Sequence, residues 1–299
     1  MGVDTVTDDA FQQAQAYFNA GNYERCRELV LRNLSTHPDN PDLLKLAGKC
    51  SLELNLGDAA TYLQRAVNQR PDDVEAWHDL GDALADEGQL PEAAAALREA
   101  ARLRPSDVGV LVDLGHILYA LGAHEEAISA LDQAAKREPG NLATLRSLAD
   151  MYRRTGHLKQ ALEVTEQITE LQPEDVLATM DIADINLALD NLDAAVRAYH
   201  RLREIDTAQD PDMDHEVYAY HGMIQVEMQR ERWRRVLDLA VDATRVDRYG
   251  LTTNILAFAV AQVFGASDRP APTRAEVDAA LAAEQIEHRR MHTEALTYS

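Results

Sequence analysis

The residues near the end of the sequence that could bind a metal ion are His288 and His292, which are four positions apart and lie beside Glu287. On a helix this separation places both imidazoles on one face, as in helical zinc sites. The surrounding segment is polar and supplies no third ligand at a fixed spacing. We therefore interpret the pair as a fortuitous spacing rather than as a metal site.

A second group combines His78 and His116 with Asp82 and Asp113. These side chains could form a hydrogen-bond network between neighbouring helices, or a weak site for a divalent cation. Of the two alternatives, the hydrogen-bond network is favoured. The sequence therefore predicts no metal site and no cofactor.

Motifs that carry catalysis are missing from the sequence. It contains no phosphate-binding GxxxxGK[ST], no GxSxG nucleophile elbow, no GxGxxG and no quartet of zinc ligands. We therefore expect the protein not to be an enzyme.

The charge of the chain restricts its partners. Its 51 acidic and 29 basic residues give a formal net charge of -22. A surface this acidic repels a phosphate backbone, so general nucleic-acid binding is not expected. A basic protein segment would be attracted, although diffuse acidity also serves solubility alone.

Two further observations concern location. The first residues lack the basic-then-apolar pattern of a secretory signal, and Cys26 and Cys50 are too few for a disulfide framework. The uncharged run 249–267 has a dense apolar stretch shorter than the roughly 20 residues that cross a bilayer. We expect a cytoplasmic protein with a buried helix in this run and no membrane insertion.

A repeat of 34 residues organises the chain. Glycine suits the left-handed backbone that ends a helix, and proline cannot continue one, so both residue types are expected at helix ends in each unit. Four residue types keep the spacing through three units, at Gly88, Gly122 and Gly156, at Pro105, Pro139 and Pro173, at Ala93, Ala127 and Ala161, and at Leu80, Leu114 and Leu148.

The first of these units resembles the tetratricopeptide-repeat (TPR) pattern. The match begins at Trp77-x-x-Leu80-Gly81 and departs at Leu84, where the family usually has Tyr. It continues at Gly88, Ala93, Leu97, Ala100 and Pro105. The next two units match at Leu111, Leu114, Gly115, Gly122, Ala127, Leu131, Ala134 and Pro139, and at Leu145, Leu148, Ala149, Tyr152, Gly156, Ala161, Ile168 and Pro173.

The resemblance implies an all-α fold, a right-handed α-solenoid of about seven to eight TPR helix pairs with a C-terminal capping helix. The solenoid is expected over residues 7–248, with a near-consensus core at 74–175. Residues 249–299 are expected to form a degenerate eighth pair, a linker and the capping helix. In the second unit the turn is expected at Gly57 and Asp58, displaced by about one helical turn.

The resemblance also implies a binding groove, because the first helix of each TPR pair lines the concave face. The positions of this sequence that carry that role are Asp79, Asp82, Asp86, Asp113, His116, Tyr119, Arg146, Asp150, Arg153, Met180, Asp181 and Asp184. Most are acidic, so a basic or amphipathic segment of a protein partner is the expected ligand. A groove for C-terminal carboxylates, which some TPR proteins hold with Lys, Asn and Arg, is disfavoured.

Two alternatives remain open for these residues. The acidic side chains could be no more than a solvated helix face. Arg146, Arg153 and Arg154 share one helix face and could bind a phosphate or carboxylate, but pairing with the neighbouring Asp113 and Asp150 is favoured.

The expected function is that of an adaptor for protein partners, and the alternative is a scaffold that self-assembles into homo-oligomers. The adaptor interpretation predicts a monomer whose mass does not change with concentration. Size-exclusion chromatography with light scattering measures this mass. A large homo-oligomer would favour the self-assembling scaffold instead.

Overall fold

The computed structural model describes residues 5–205 and 215–246, together with Ile255 and Ala259. Within these residues fourteen helices follow one another and no strand occurs, which confirms the predicted all-α class. The first eight helices are α1 Thr5–Asn19, α2 Tyr23–Leu34, α3 Pro41–Glu53, α4 Ala59–Gln69, α5 Val74–Asp86, α6 Leu90–Leu103, α7 Val108–Ala120 and α8 His124–Arg137. The remaining six are α9 Leu142–Arg154, α10 Leu158–Leu171, α11 Val176–Ala188, α12 Leu192–Glu204, α13 His215–Gln229 and α14 Trp233–Ala243.

The chain forms two compact units, Met1–Met151 and Tyr152–Ser299, with the boundary inside α9. In unit 1 each helix from α1 to α8 packs on the next one, and in unit 2 the same is true from α10 to α14. Short amphipathic helices bury little apolar surface alone, so each needs its neighbours in the stack. This arrangement is that of an α-solenoid built from helix pairs.

The turn between the two helices of a pair repeats one backbone conformation. Gly88 has a φ of 74°, and its equivalents Gly21, Gly122 and Gly156 have φ between 71° and 80°. The amide of Gln89, the residue after Gly88, donates a hydrogen bond of 2.8 Å to the carbonyl of Leu84. These left-handed residues end the first helices as a glycine C-cap does, which confirms the expectation for this position.

The same turn persists where glycine is missing. Asn55 and Asp190 have φ of 52° and 60°, and both types tolerate the left-handed region better than most residues. The following amides of Leu56 and Asn191 each donate at 2.8 Å to the carbonyl five residues earlier. The left-handed residue of the second repeat is therefore Asn55, and the expected turn residues Gly57 and Asp58 follow it in the same connection between α3 and α4.

An aspartate or asparagine caps the start of the first helix in five successive repeats. The side chain of Asp73, for example, accepts a hydrogen bond of 3.1 Å from the amide of Ala76. Each cap satisfies an amide that the first turn of a helix leaves without a partner. The capping residues are Asn40, Asp73, Asp107, Asn141 and Asp175.

The two helices of a pair approach closely at a small residue. A Cβ placed on Gly81 of α5 would lie 2.6 Å from Cγ of Leu97 on α6, closer than carbon atoms can pack. Gly115 has the same relation to Leu131 at 2.8 Å. The leucine therefore fills the space that a side chain would occupy, and both leucines are fully buried.

Most of the predicted C-terminal region lies outside the described residues. This applies to the capping helix, to His288 and His292, and to nearly all of the run 249–267. Ile255 and Ala259 are described, and both are helical and buried in the core of unit 2. Across the described residues, no helix has both the length and the apolar character needed to cross a membrane.

The close approach of α5 and α6 leads to a prediction about stability. Gly81→Ala should lower the free energy of unfolding by about 1 kcal/mol, because overpacking against Leu97 outweighs the gain in helix propensity. Gly140→Ala is the matched control, since Gly140 is in a turn and no atom lies within 4 Å of an added Cβ. Urea denaturation followed by circular dichroism measures both. Equal stability of the two variants would contradict the packing argument.

Candidate functional site

The first helices α5 and α7 of unit 1 carry the acidic residues expected to bind a partner. On α5, Asp79, Asp82 and Asp86 are spaced by three, four and seven residues, so they share one side of the helix. Asp113 on α7 occupies, 34 positions later, the place in its repeat that Asp79 has in the preceding one. The repeat therefore brings carboxylates of two adjacent helices to the same side of unit 1.

Two lysines of α3 neighbour this side of α5. Lys45 Nζ lies 3.0 Å from a carboxylate oxygen of Asp73 and 3.0 Å from one of Glu75. Lys49 Nζ lies 2.6 Å from the other oxygen of Glu75. Hydrogen bonds from both lysines lower the pKa of Glu75 to about 2. Glu75 is therefore neutralised by its own ion pairs.

Asp79 and Asp82 form no such ion pairs, and the nearby charges of Lys49 and His78 offset their burial only in part. No residue that the structure describes donates a hydrogen bond to the buried Oδ2 of Asp79. Burial raises the pKa of Asp79 from its ordinary value of 3.8 to about 6, and burial raises that of Asp82 to about 6 as well. Both carboxylates line an open cavity of about 360 Å³ together with Lys49, Leu52 and Glu53. Both carboxylates are thus partly desolvated.

His78 connects α5 to α7. Its Nε2 lies 2.7 Å from Oδ2 of Asp113, and this hydrogen bond raises the pKa of the imidazole. The structure confirms the predicted hydrogen bond between neighbouring repeats for these two residues. Asp82 offers a third atom within 4.8 Å of the other two, so these three side chains could together hold a cation.

The other predicted residues of unit 1 lie on α5, α7 and α9. Asp86 and His116 are exposed. The ring of Tyr119 is stacked on that of His124 with 5.1 Å between the centroids. Arg146 and Asp150 are half-buried on α9.

In unit 2 the predicted residues differ in their surroundings. Met180 is only 2% exposed, so its side chain packs inside the core of unit 2 and not at a surface where a partner could bind. Asp184 accepts hydrogen bonds from the hydroxyls of Tyr199, at 2.8 Å, and of Tyr218. Asp181 and Arg153 are half-buried. Asp184 therefore already has a structural role within unit 2.

The lysines of α3 are the residues that the sequence analysis missed. Lys45 and Lys49 are one helical turn apart on α3. This is the first helix of the repeat that precedes the repeat of Asp79. Because first helices of successive repeats are neighbours, this position alone indicates that they face the acidic residues of α5. They pair with Asp73 and Glu75, so the later carboxylates of α5 are left without an ion pair.

The sequence of the chain matches one protein-family model. This is the Cilia and flagella-associated protein 70 C-terminal domain, and the match extends over residues 7–233. No curated protein sequence matches the chain.

Many solved structures have a similar fold. The C-terminal part of a TPR repeat-containing protein from Cytophaga hutchinsonii superposes with a TM-score of 0.71 at 16% identity, covering 82% of this chain and 99% of that one. MamA gives a TM-score of 0.51 at 21% identity, with 58% and 97% covered. YrrB, a TPR protein with an unusual peptide-binding site, gives 0.52 at 15% identity, with 60% and 93% covered. At these low sequence identities, the similarity shows a shared fold and nothing more.

The uncompensated charge of Asp79 leads to a prediction about pH. Because its pKa is raised in the folded protein, the folded state loses stability as pH rises from about 4 through about 6. Asp79→Asn should therefore raise the free energy of unfolding at pH 7 by about 1–2 kcal/mol, allowing for screening, and by almost nothing at pH 4. Urea denaturation at both pH values measures this difference.

Asp86→Asn is the matched control, because Asp86 is on the same helix and exposed. Its effect should stay within about 0.5 kcal/mol at both pH values. A loss of stability in Asp79→Asn at pH 7 would show that the Asp79 carboxylate is compensated after all.

Proposed function

The chain belongs to the family of the Cilia and flagella-associated protein 70 C-terminal domain, a TPR family, and on that premise we propose that it is an adaptor that binds a basic or amphipathic segment of a protein partner. The proposed binding surface is the side of unit 1 formed by Asp79, Asp82, Asp86 and Asp113. TPR families are generally non-catalytic interaction folds, and we propose the same of this chain.

The observation that carries the proposal is acidic charge without internal compensation. None of the salt bridges among the described residues includes Asp79, Asp82 or Asp86, while the nearby Lys45 and Lys49 are bound to Asp73 and Glu75. A carboxylate that is partly desolvated and has no cation in direct contact raises the free energy of the folded state. An arginine or lysine of a partner would supply the missing counter-charge and form charge-assisted hydrogen bonds.

The alternative of a solvated face explains Asp86 better than it explains Asp79. Asp86 is exposed, as a carboxylate that only interacts with water would be. Asp79 instead has a buried oxygen atom without a donor among the described residues, which water-facing carboxylates do not have. The cavity beside it, of about 360 Å³, has room for a long cationic side chain.

The charge pattern also restricts the class of partner. Nucleic acid and acidic C-terminal tails would meet like charge at this surface, so a basic protein segment is the better match. The free thiols of Cys26 and Cys50 suit a reducing compartment, and we place the protein in the cytoplasm. One protein of similar fold, YrrB, has a peptide-binding site, which is the kind of use proposed here.

A direct test uses a fluorescein-labelled peptide of about 14 residues with Arg on one helical face and Leu on the other. The same peptide with Glu in place of Arg is the negative probe. Fluorescence anisotropy should report saturable binding of the Arg peptide, weakened at high salt because ion pairs are screened. Asp79→Asn/Asp86→Asn should weaken binding about tenfold, which corresponds to roughly 1.4 kcal/mol.

The matched control is Glu92→Gln/Glu125→Gln, which removes the same charge from exposed positions on the second helices α6 and α8. Binding to this variant should equal binding to the parent. If the two double variants weaken binding equally, net charge rather than this surface attracts the peptide. Equal binding of the Arg and Glu peptides would likewise reject the proposal.

A further inference from the structure

Three donor atoms, one imidazole nitrogen and two carboxylate oxygens, meet between α5 and α7. They belong to the imidazole of His78 and to the carboxylates of Asp82 and Asp113, and all lie within 4.8 Å of one another. His78 and Asp82 are four residues apart on α5, so both side chains project from one face of the helix. Asp113 reaches them from α7, the first helix of the next repeat.

We propose that His78, Asp82 and Asp113 form a binding site for a divalent cation of the borderline class, such as Zn²⁺ or Co²⁺. This inference goes beyond partner binding, because it assigns an inorganic ligand to three named side chains. It also departs from the expectation from sequence, in which the hydrogen bond between repeats is favoured over a cation site.

The distances between the donors suit such an ion. Around a tetrahedral Zn²⁺ with bonds of about 2.0–2.2 Å, neighbouring donor atoms are roughly 3.4 Å apart. His78 Nε2 and Asp113 Oδ2 are now at 2.7 Å, as a hydrogen bond requires, and would separate slightly around an ion. No donor pair among the three exceeds 4.8 Å, so side-chain rotations suffice to reach the ion.

The chemistry of the donors selects the class of metal. An imidazole nitrogen favours Zn²⁺, Co²⁺ or Ni²⁺ over Ca²⁺ and Mg²⁺, which prefer an all-oxygen shell. The imidazole also distinguishes this group from a patch of carboxylates alone. Two carboxylates balance the charge of a divalent ion, and Asp79 adds further negative potential nearby. Three protein ligands leave a coordination position for water or for a group of a partner.

The site ties two repeats of unit 1 together. In the metal-free protein the hydrogen bond between His78 and Asp113 connects α5 and α7. A bound ion would replace this hydrogen bond by coordinate bonds from both helices. Metal binding should therefore stabilise the folded state, because the ligands are brought together only there.

The test uses the purified full chain after EDTA treatment and desalting, with ZnCl₂ as the probe in isothermal titration calorimetry. Every protein in this test also carries His288→Gln and His292→Gln, so that the imidazoles of His288 and His292 cannot bind the ion. This protein without further changes is called the background protein. One equivalent of Zn²⁺ should bind, and Co²⁺ should show the visible absorption of a low-symmetry site. His78→Gln and Asp82→Asn should each weaken Zn²⁺ binding at least about tenfold.

His200→Gln is the matched control, since His200 is an exposed imidazole on α12. It should bind Zn²⁺ like the background protein, and far-ultraviolet circular dichroism should show that all variants stay helical. Absence of saturable Zn²⁺ binding, or unchanged affinity in both His78→Gln and Asp82→Asn, would overturn the inference. Asp82 and Asp113 belong to both proposals, but the peptide experiment changes Asp79 and Asp86, so failure of the metal site and failure of partner binding are distinguishable.

Discussion

The close contact between the two helices of each repeat is the constraint on which the rest of the structure depends. Gly81 allows Leu97 to pack where a side chain would otherwise be, and Gly115 and Leu131 repeat the contact. Because the helices approach here, the connecting turn must reverse the chain within a few residues. The left-handed turn residue, the capped start of the next first helix and the proline after the second helix all follow from this requirement.

The repeat then determines where charge can be placed. First helices of neighbouring repeats lie side by side, so residues 34 positions apart come to the same side of unit 1. Lys45 and Lys49 on α3 neutralise Glu75, whereas Asp79 on the same helix has a buried oxygen without a donor among the described residues. The carboxylates without an ion pair are thus localised on α5, and the proposed adaptor function arises from them.

Much of this fold was predictable from sequence, because glycine and proline act through local backbone geometry. Gly88 and Pro105 indicated the ends of their helices directly. Asn55 and Asp190 supply the left-handed residue without glycine, so glycine alone could not locate it. The asparagine and aspartate caps keep a similar spacing, so they could have established the register of the weaker repeats.

The candidate site was less predictable, because a side chain's surroundings depend on packing. Helix α11 is apolar on nearly all sides, so periodicity could not show that Met180 faces the core. The hydroxyls of Tyr199 and Tyr218 that bind Asp184 come from helices further along the chain. By contrast, the contact of His78 with Asp113 was expected, since both residue types and the repeat spacing were visible in the sequence.

The central claim is that a basic segment binds to the first helices of unit 1. A photo-crosslinking group in the middle of an Arg-rich amphipathic peptide, followed by mass spectrometry of the crosslinked protein, tests the location directly. Binding at this surface should give crosslinks to peptides from α5 and α7, which disappear when unlabelled peptide is added in excess. Crosslinks concentrated on α6 and α8, the second helices of the same repeats, would contradict it.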